Sequence, residues 1–110
     1  MTRATALLIL LTAALLEAGG DALIRQGLRN SGPIRAAFFA LGAIVLFVYG
    51  YAVNAPDWQF GKLLGIYVVF FFVVAQLIAW LVFHERPTNA VLLGGAFIAV
   101  GGIIMSYSAA

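Results

Sequence analysis

The sequence predicts an all-α membrane protein with four transmembrane helices, and three observations carry that expectation. Of its 110 residues, 65% are hydrophobic and only 9% charged, and the mean hydropathy is +1.09, outside the range of a domain whose solvent is water. Four apolar runs, roughly Thr5–Leu23, Ile34–Val53, Lys62–Phe83 and Asn89–Tyr107, are each long enough to cross about 30 Å of hydrocarbon. The breaks between them are short and rich in turn residues, which leaves no stretch for a soluble domain. A single domain over residues 1–110 follows, with helices over about 5–28, 34–54, 62–83 and 89–108.

The first run follows Arg3 and ends near Ala18-Gly19-Gly20, which invites comparison with a cleaved leader. It continues through Leu23 and Ile24 with no clear small-x-small site, so it is read as a retained span. The second run opens after the turn cluster Asn30-Ser31-Gly32-Pro33, and the third after Asn54-Ala55-Pro56-Asp57. The fourth opens after His84-Glu85-Arg86-Pro87-Thr88-Asn89, whose end carries a helix-start signal. Connections of about four to ten residues make neighbouring helices antiparallel. Phe38, Phe39, Trp58, Phe60, Trp80 and Tyr107 fall near the expected helix ends, as an interfacial belt requires.

Charge and cysteine content narrow the function classes. There are no cysteines, so disulfides, thiolate metal sites and cysteine nucleophiles are excluded. The net charge of +2 rests on six cations at loop ends, which membrane orientation accounts for, so nucleic acid is not an expected partner. Arg3 and Lys62 lie on one side of the membrane, and Arg25, Arg29, Arg35 and Arg86 on the other. That bias favours both termini outside, by a margin small enough to leave insertion in both orientations open.

Glu17 is the residue that asks for a function. It lies about twelve residues, or roughly 18 Å, beyond Thr5, slightly past the midplane of a core about 30 Å thick. The Leu and Ile residues from Leu7 to Leu16 favour insertion by about 2 to 4 kcal/mol, and one central acid costs about 3. The helix therefore inserts with little margin. Hydrocarbon penalises the charged form, so a carboxylate held there is equipped to take up and release a proton, as a proton-coupled carrier needs. The plainer reading is a cross-helix pair or hydrogen bond; function is favoured because acids in a bilayer are rarely kept without a task.

Asp21 and Arg25 follow at intervals of four, so Glu17, Asp21 and Arg25 share one face of the first helix. In one reading Glu17 and Asp21 titrate as a coupled pair or bind a cation together. In the other, which is favoured, Asp21 pairs with Arg25 near the interface and supports the helix end. Ala13, Ala14, Ala18, Gly19 and Gly20 thin the helix around the acid, for a close partner or for a ligand. Tyr49 on the second helix and Tyr67 and Gln76 on the third are candidate proton- or substrate-binding groups, Gln76 being balanced between ligand contact and interhelical glue. Trp80 and Phe70-Phe71-Phe72 could line a pocket for a lipophilic cation, although at least two of the three phenylalanines read better as lipid-facing bulk. In the fourth helix, Gly94, Gly95, Gly101 and Gly102 recur at a spacing of seven and read as a dimer contact.

No Gly-rich phosphate loop, paired metal ligands or Ser/His/Asp arrangement is present in the sequence, and the single His84 sits in a loop beside charged neighbours. No enzyme, catalytic residue, metal or cofactor is expected.

Several of these residues resemble the small multidrug resistance family and its relatives in the drug/metabolite transporter superfamily. The likeness rests on Ala14-Leu15-Leu16-Glu17 with Gly20, on four helices in a chain of this length, and on Leu93-Gly94 with Gly101. Phe83-His84-Glu85-Arg86-Pro87-Thr88, followed by Leu93-Gly94-Gly95-Ala96 and Val100-Gly101-Gly102, also resembles the end of the superfamily's repeat unit. The resemblance implies that Glu17 binds protons and cationic substrates in alternation, and that the fourth-helix glycines join an antiparallel dimer. The third helix departs from it: Gly61-Lys62-Leu63-Leu64-Gly65-Ile66-Tyr67 stands where the multidrug exporters carry a Tyr and a Trp in a run rich in Ala and Gly. Tyr67 stands in for the tyrosine, the tryptophan has no clear counterpart, and the segment is closer to another four-helix branch of the superfamily.

The expectation is therefore a proton-coupled antiporter in the bacterial inner membrane, a homodimer favoured as antiparallel, that exports small organic or lipophilic cations and has membrane lipid and protons as further partners. The alternatives are a carrier of lipid-linked or metabolite substrates, possibly half of a heterodimer, and a non-transporting membrane subunit of a larger complex.

Overall fold

The four apolar runs are helical in the computed structural model, which describes residues 1–107. The helices are α1 (Arg3–Leu28), α2 (Gly32–Val53), α3 (Phe60–Phe83) and α4 (Asn89–Ser106). Each is long and apolar enough to cross a membrane. No strand occurs among the described residues. Residue 108, the expected end of the fourth helix, lies outside the described residues.

Local chemistry sets the helix ends. α1 starts two residues earlier than the hydropathy suggests because the Thr2 hydroxyl accepts the Thr5 N–H at 3.1 Å and caps it. At the other end of α1, the Arg35 guanidinium donates to the carbonyls of Gly27, Leu28 and Asn30 at 3.1, 3.1 and 2.8 Å. These bonds tie the α1–α2 turn to the last turn of α1. Gly32 enters α2 at φ +65°, and Pro33 occupies its first turn. α3 ends at His84, a non-glycine residue in the left-handed region at φ 58°, and the turn returns the Glu85 N–H to the Ala79 carbonyl at 2.9 Å. Thr88 caps α4 by accepting from the Val91 N–H at 3.2 Å.

In space the principal seams run α2 to α1, α1 to α3, and α3 to α4. The molecule measures 50 × 34 × 19 Å. Helices pack about 8 to 10 Å apart, so a width of 34 Å against a thickness of 19 Å describes a staggered row rather than a square bundle. The core lies between α1 and α3, with Leu10, Ala13, Ala14 and Ala18 on one side and Leu63, Ile66, Tyr67 and Val74 on the other, closed at one end by Val53 of α2. The α1 residues recur at intervals of three and four, which is one helix face, and their small size lets the backbones approach.

Outside this core, large apolar side chains face outward: Phe47 is 77% exposed, Leu81 70% and Phe97 71%. A soluble monomer does not carry such a surface, and hydrocarbon is the medium that suits it.

Candidate proton and substrate site

Glu17 is the fifteenth of the 26 residues in α1, about 21 Å along the helix from its start, and is half-buried at the α1–α3 seam. Tyr67 of α3 is buried opposite it, only 4% exposed, and donates its hydroxyl hydrogen to Glu17 Oε1 at 2.8 Å. A hydrogen bond to a carboxylate is short and strong, and the surrounding low dielectric strengthens it further. The Tyr67 ring lies 5.7 Å from Tyr49 of α2 and 6.2 Å from Phe71 of α3, centroid to centroid. Tyr49 is also within electrostatic reach of Glu17 and Asp21. The acid of α1 is thus held among aromatic rings from the two neighbouring helices.

Beside this cluster an open groove of about 170 Å³ runs between α1 and α3, its walls including Asp21, Arg25, Phe71, Phe83 and Glu85. Alanines at positions 18, 22, 75 and 79 make the space. A carboxylate next to aromatic faces in a groove open at its surface is an arrangement suited to an organic cation.

The other candidates divide. Gln76 is half-buried but is absent from the lining of the groove. Trp80 is 47% exposed and packs its ring against Arg86 at 5.8 Å rather than facing Glu17. Phe70, Phe71 and Phe72 are all half-buried, which corrects the expectation that most of them face lipid. Phe71 lines the groove and Phe72 fills the space over Gly95.

The fourth-helix glycines occupy two faces. Gly95 and Gly102 point into α3, where a methyl would overlap Phe72 and Val69, whereas Gly94 and Gly101 have nothing within 4 Å of an added methyl. The stripe therefore docks α4 onto its own chain with one member of each pair and leaves the other on the outer surface.

The favoured pairing of Asp21 with Arg25 is corrected. The Arg25 guanidinium lies 3.8 Å from Glu85 Oε2 and 5.4 Å from the Phe83 ring centroid, whereas no ion pair joins it to Asp21 among the described residues. Nothing in the sequence alone marks Glu85 as functional. Its link to Arg25 spans sixty positions, and the only local signal was its place in a charged loop. Among the described residues no cluster of three or more His, Cys, Asp or Glu side chains could hold a metal ion.

Comparison with known proteins supplies the lineage. Residues 3–110 match the family model described as "Uncharacterised BCR, YnfA/UPF0060 family". The chain is similar to a UPF0060 membrane protein of Rhodococcus erythropolis, 40% identical over 110 residues and covering 96% of this chain and 97% of the relative. It is also similar to one of Herpetosiphon aurantiacus, 33% identical with 93% of each chain covered. A third, the UPF0060 membrane protein YfjF of Bacillus subtilis, is 35% identical over 98 residues, covering 88% of this chain and 87% of the relative. No solved structure matches. The likeness to the small multidrug resistance family is thereby corrected to a relation at the level of the superfamily. The chain belongs to the YnfA/UPF0060 family, related to the drug/metabolite transporters, and is a multi-pass bacterial membrane protein.

Proposed function

We propose that this protein is a proton-coupled antiporter that exports small organic or lipophilic cations, with Glu17 shared between proton and substrate. The observation that supports this reading most is the Tyr67–Glu17 hydrogen bond of 2.8 Å, which fixes a carboxylate midway along a membrane helix beside a groove with an aromatic wall. The Tyr67 hydroxyl steadies the ionised acid while no cation is bound. A proton or a cation can neutralise Glu17, but both cannot do so at once, so an inward proton gradient drives cation outward by competition.

A row of four helices encloses no pathway by itself, so a homodimer completes the chamber and brings two copies of Glu17 to face each other. An antiparallel arrangement is favoured because it makes the two membrane sides equivalent. Gly94 and Gly101, open on the outer face of α4, supply a surface on which a second copy can approach closely.

The deciding experiment uses proteoliposomes with an imposed proton gradient and an organic cation. Glu17→Gln is expected to abolish coupled uptake while leaving the protein folded and inserted. Full coupled activity in that variant would sink the mechanism.

A further inference from the structure

We infer that Asp21 is a second carboxylate for the cation, one helical turn from Glu17 in the α1–α3 groove, and that Glu85 keeps it available by holding Arg25 away. The inference rests on the transport reading of Glu17 and adds a residue that selects the substrate and one that positions a neighbour.

Three charged side chains line the groove: Asp21, Arg25 and Glu85. Asp21 and Arg25 are four residues apart on α1, the spacing at which a helix ordinarily pairs opposite charges. Two contacts draw the guanidinium the other way. Its Nη1 lies 3.8 Å from Glu85 Oε2, and its Cζ lies 5.4 Å from the centre of the Phe83 ring, which Arg29 also approaches at 5.3 Å. Glu85 is delivered to this position by the left-handed turn at His84 and by its own N–H bonded to Ala79. With Arg25 and Glu85 neutralising each other, Asp21 leaves the side chains that line the groove with one net negative charge, Arg29 sitting over Phe83 at the edge. Asp21 has no ion pair of its own among the described residues.

Phe71 completes the subsite. It lines the same groove as Asp21, and its ring contacts Tyr67, the residue bonded to Glu17. A cation held at Asp21 over an aromatic face therefore lies next to the group that contacts the proton-carrying acid. The ligand chemistry this selects is a monovalent organic cation with an apolar or aromatic portion: the charge meets Asp21, and the apolar part meets Phe71 and the alanine walls. Arg25 is the built-in competitor. Without Glu85, its nearest remaining carboxylate along the helix is Asp21, and the groove would be neutralised from within.

The test measures the Kd of benzyltrimethylammonium for the full chain in micelles at fixed pH and ionic strength. This quaternary cation cannot lose a proton, so its binding reports the groove directly. Asp21→Asn is expected to weaken binding by about tenfold or more, and Asp21→Glu to retain most of it. Glu85→Gln should weaken binding by roughly threefold, a modest effect suited to a half-exposed ion pair. Arg25→Gln added to Glu85→Gln should restore the wild-type Kd, a rescue that simple structural damage would not give. Glu85→Gln in an Asp21→Asn background should change nothing further.

Wild-type binding by Asp21→Asn would overturn the inference, as would a Glu85→Gln effect of undiminished size without Asp21. The Glu17→Gln transport assay separates the two claims. Coupled transport that survives Glu17→Gln, with binding still lost in Asp21→Asn, would refute the role of Glu17 and leave the groove assignment standing. Transport abolished by Glu17→Gln, with Asp21→Asn binding normally, would refute the groove assignment alone. Failure of the wild-type protein to bind the probe would overturn the groove assignment, and the transport assay would still decide the role of Glu17.

Discussion

Both hairpins of this chain are antiparallel pairs of apolar helices seamed with glycine, but they bury their helices to different degrees. Between α1 and α2 the approach is close from both sides. A methyl on Gly20 would lie 2.7 and 2.8 Å from Leu46 Cδ2 and Cγ, and one on Gly42 would lie 2.7 Å from Ile24 Cδ1 and 3.3 Å from the Gly20 carbonyl oxygen. Between α3 and α4 the seam is closed by Gly95, Gly102 and Gly65 against Phe72, Val69 and Met105, while Gly94 and Gly101 meet nothing. α1 contributes seven buried residues and α4 only Gly102. The first hairpin carries the acid on a helix buried along one face, whereas the second ends in a helix that lies almost wholly on the outside, with Gly94 and Gly101 open on it.

The largest break in this comparison is expected at Gly42. Its neighbours include the backbone oxygen of Gly20, which cannot swing aside as a side-chain end can. Gly42→Val should destabilise the chain by about 2 to 3 kcal/mol, measured by reversible unfolding in mixed micelles. A stability within error of wild type would mean that the α1–α2 seam is looser than its geometry indicates.

Adjacent residues of α4 offer a sharper contrast. Gly102→Val places its added carbons against Val69 and should cost about 1 to 2 kcal/mol in the same assay. Gly101→Val has open space and should change stability by less than about 0.5 kcal/mol, yet it should reduce crosslinking between copies. Equal crosslinking in wild type and Gly101→Val would remove the outer face of α4 from the dimer contact.

These contrasts also mark what the sequence could carry. The four spans follow from hydropathy and length, because a backbone in lipid has few alternatives to a helix. Glu17 follows from its depth. The partner of Glu17 does not: the sequence offers both Tyr67 and Gln76 on α3, and the relative rotation of two helices fifty positions apart in sequence decides for Tyr67. The helical rule of four, legible locally, points Arg25 to Asp21, whereas Glu85 reaches it through a turn whose direction depends on a left-handed His84. Consecutive glycines such as Gly94 and Gly95 point about 100° apart on a helix, so the motif announced a close approach without saying which member makes it.

The Tyr67–Glu17 hydrogen bond ties the two hairpins at mid-membrane, and Tyr67→Phe tests it. The substitution keeps the ring and its contacts with Tyr49 and Phe71 and removes the donor to Glu17. A hydrogen bond to a charged group contributes about 1.5 kcal/mol or more, so kcat/KM for coupled cation transport should fall by about tenfold. Wild-type kinetics in Tyr67→Phe would reduce the tyrosine to packing and leave Glu17 without its positioning group.

The smallest effect concerns the two turns, which solve one backbone problem with different residues. Gly32 at φ +65° and His84 at φ 58° both lie in the left-handed region, which costs an L-residue about 1 kcal/mol and glycine little. An added methyl at Gly32 meets nothing within 4 Å, so Gly32→Ala reports the backbone term alone and should destabilise by about 1 kcal/mol. His84→Gly should do the reverse at the end of α3, stabilising by a few tenths to about 1 kcal/mol, since the gain in backbone freedom in the native turn is partly offset by the greater entropy of glycine in the unfolded chain. The same substitution bears on the groove, because His84 sets the direction in which Glu85 leaves α3. If the turn is held by the Glu85 N–H bond to Ala79 and the histidine ring is incidental, His84→Gly will gain stability with no change in cation affinity. Gained stability with weakened binding would show that the histidine keeps Glu85 aimed at Arg25, and lost stability would show that its side chain makes contacts worth more than the strain it carries.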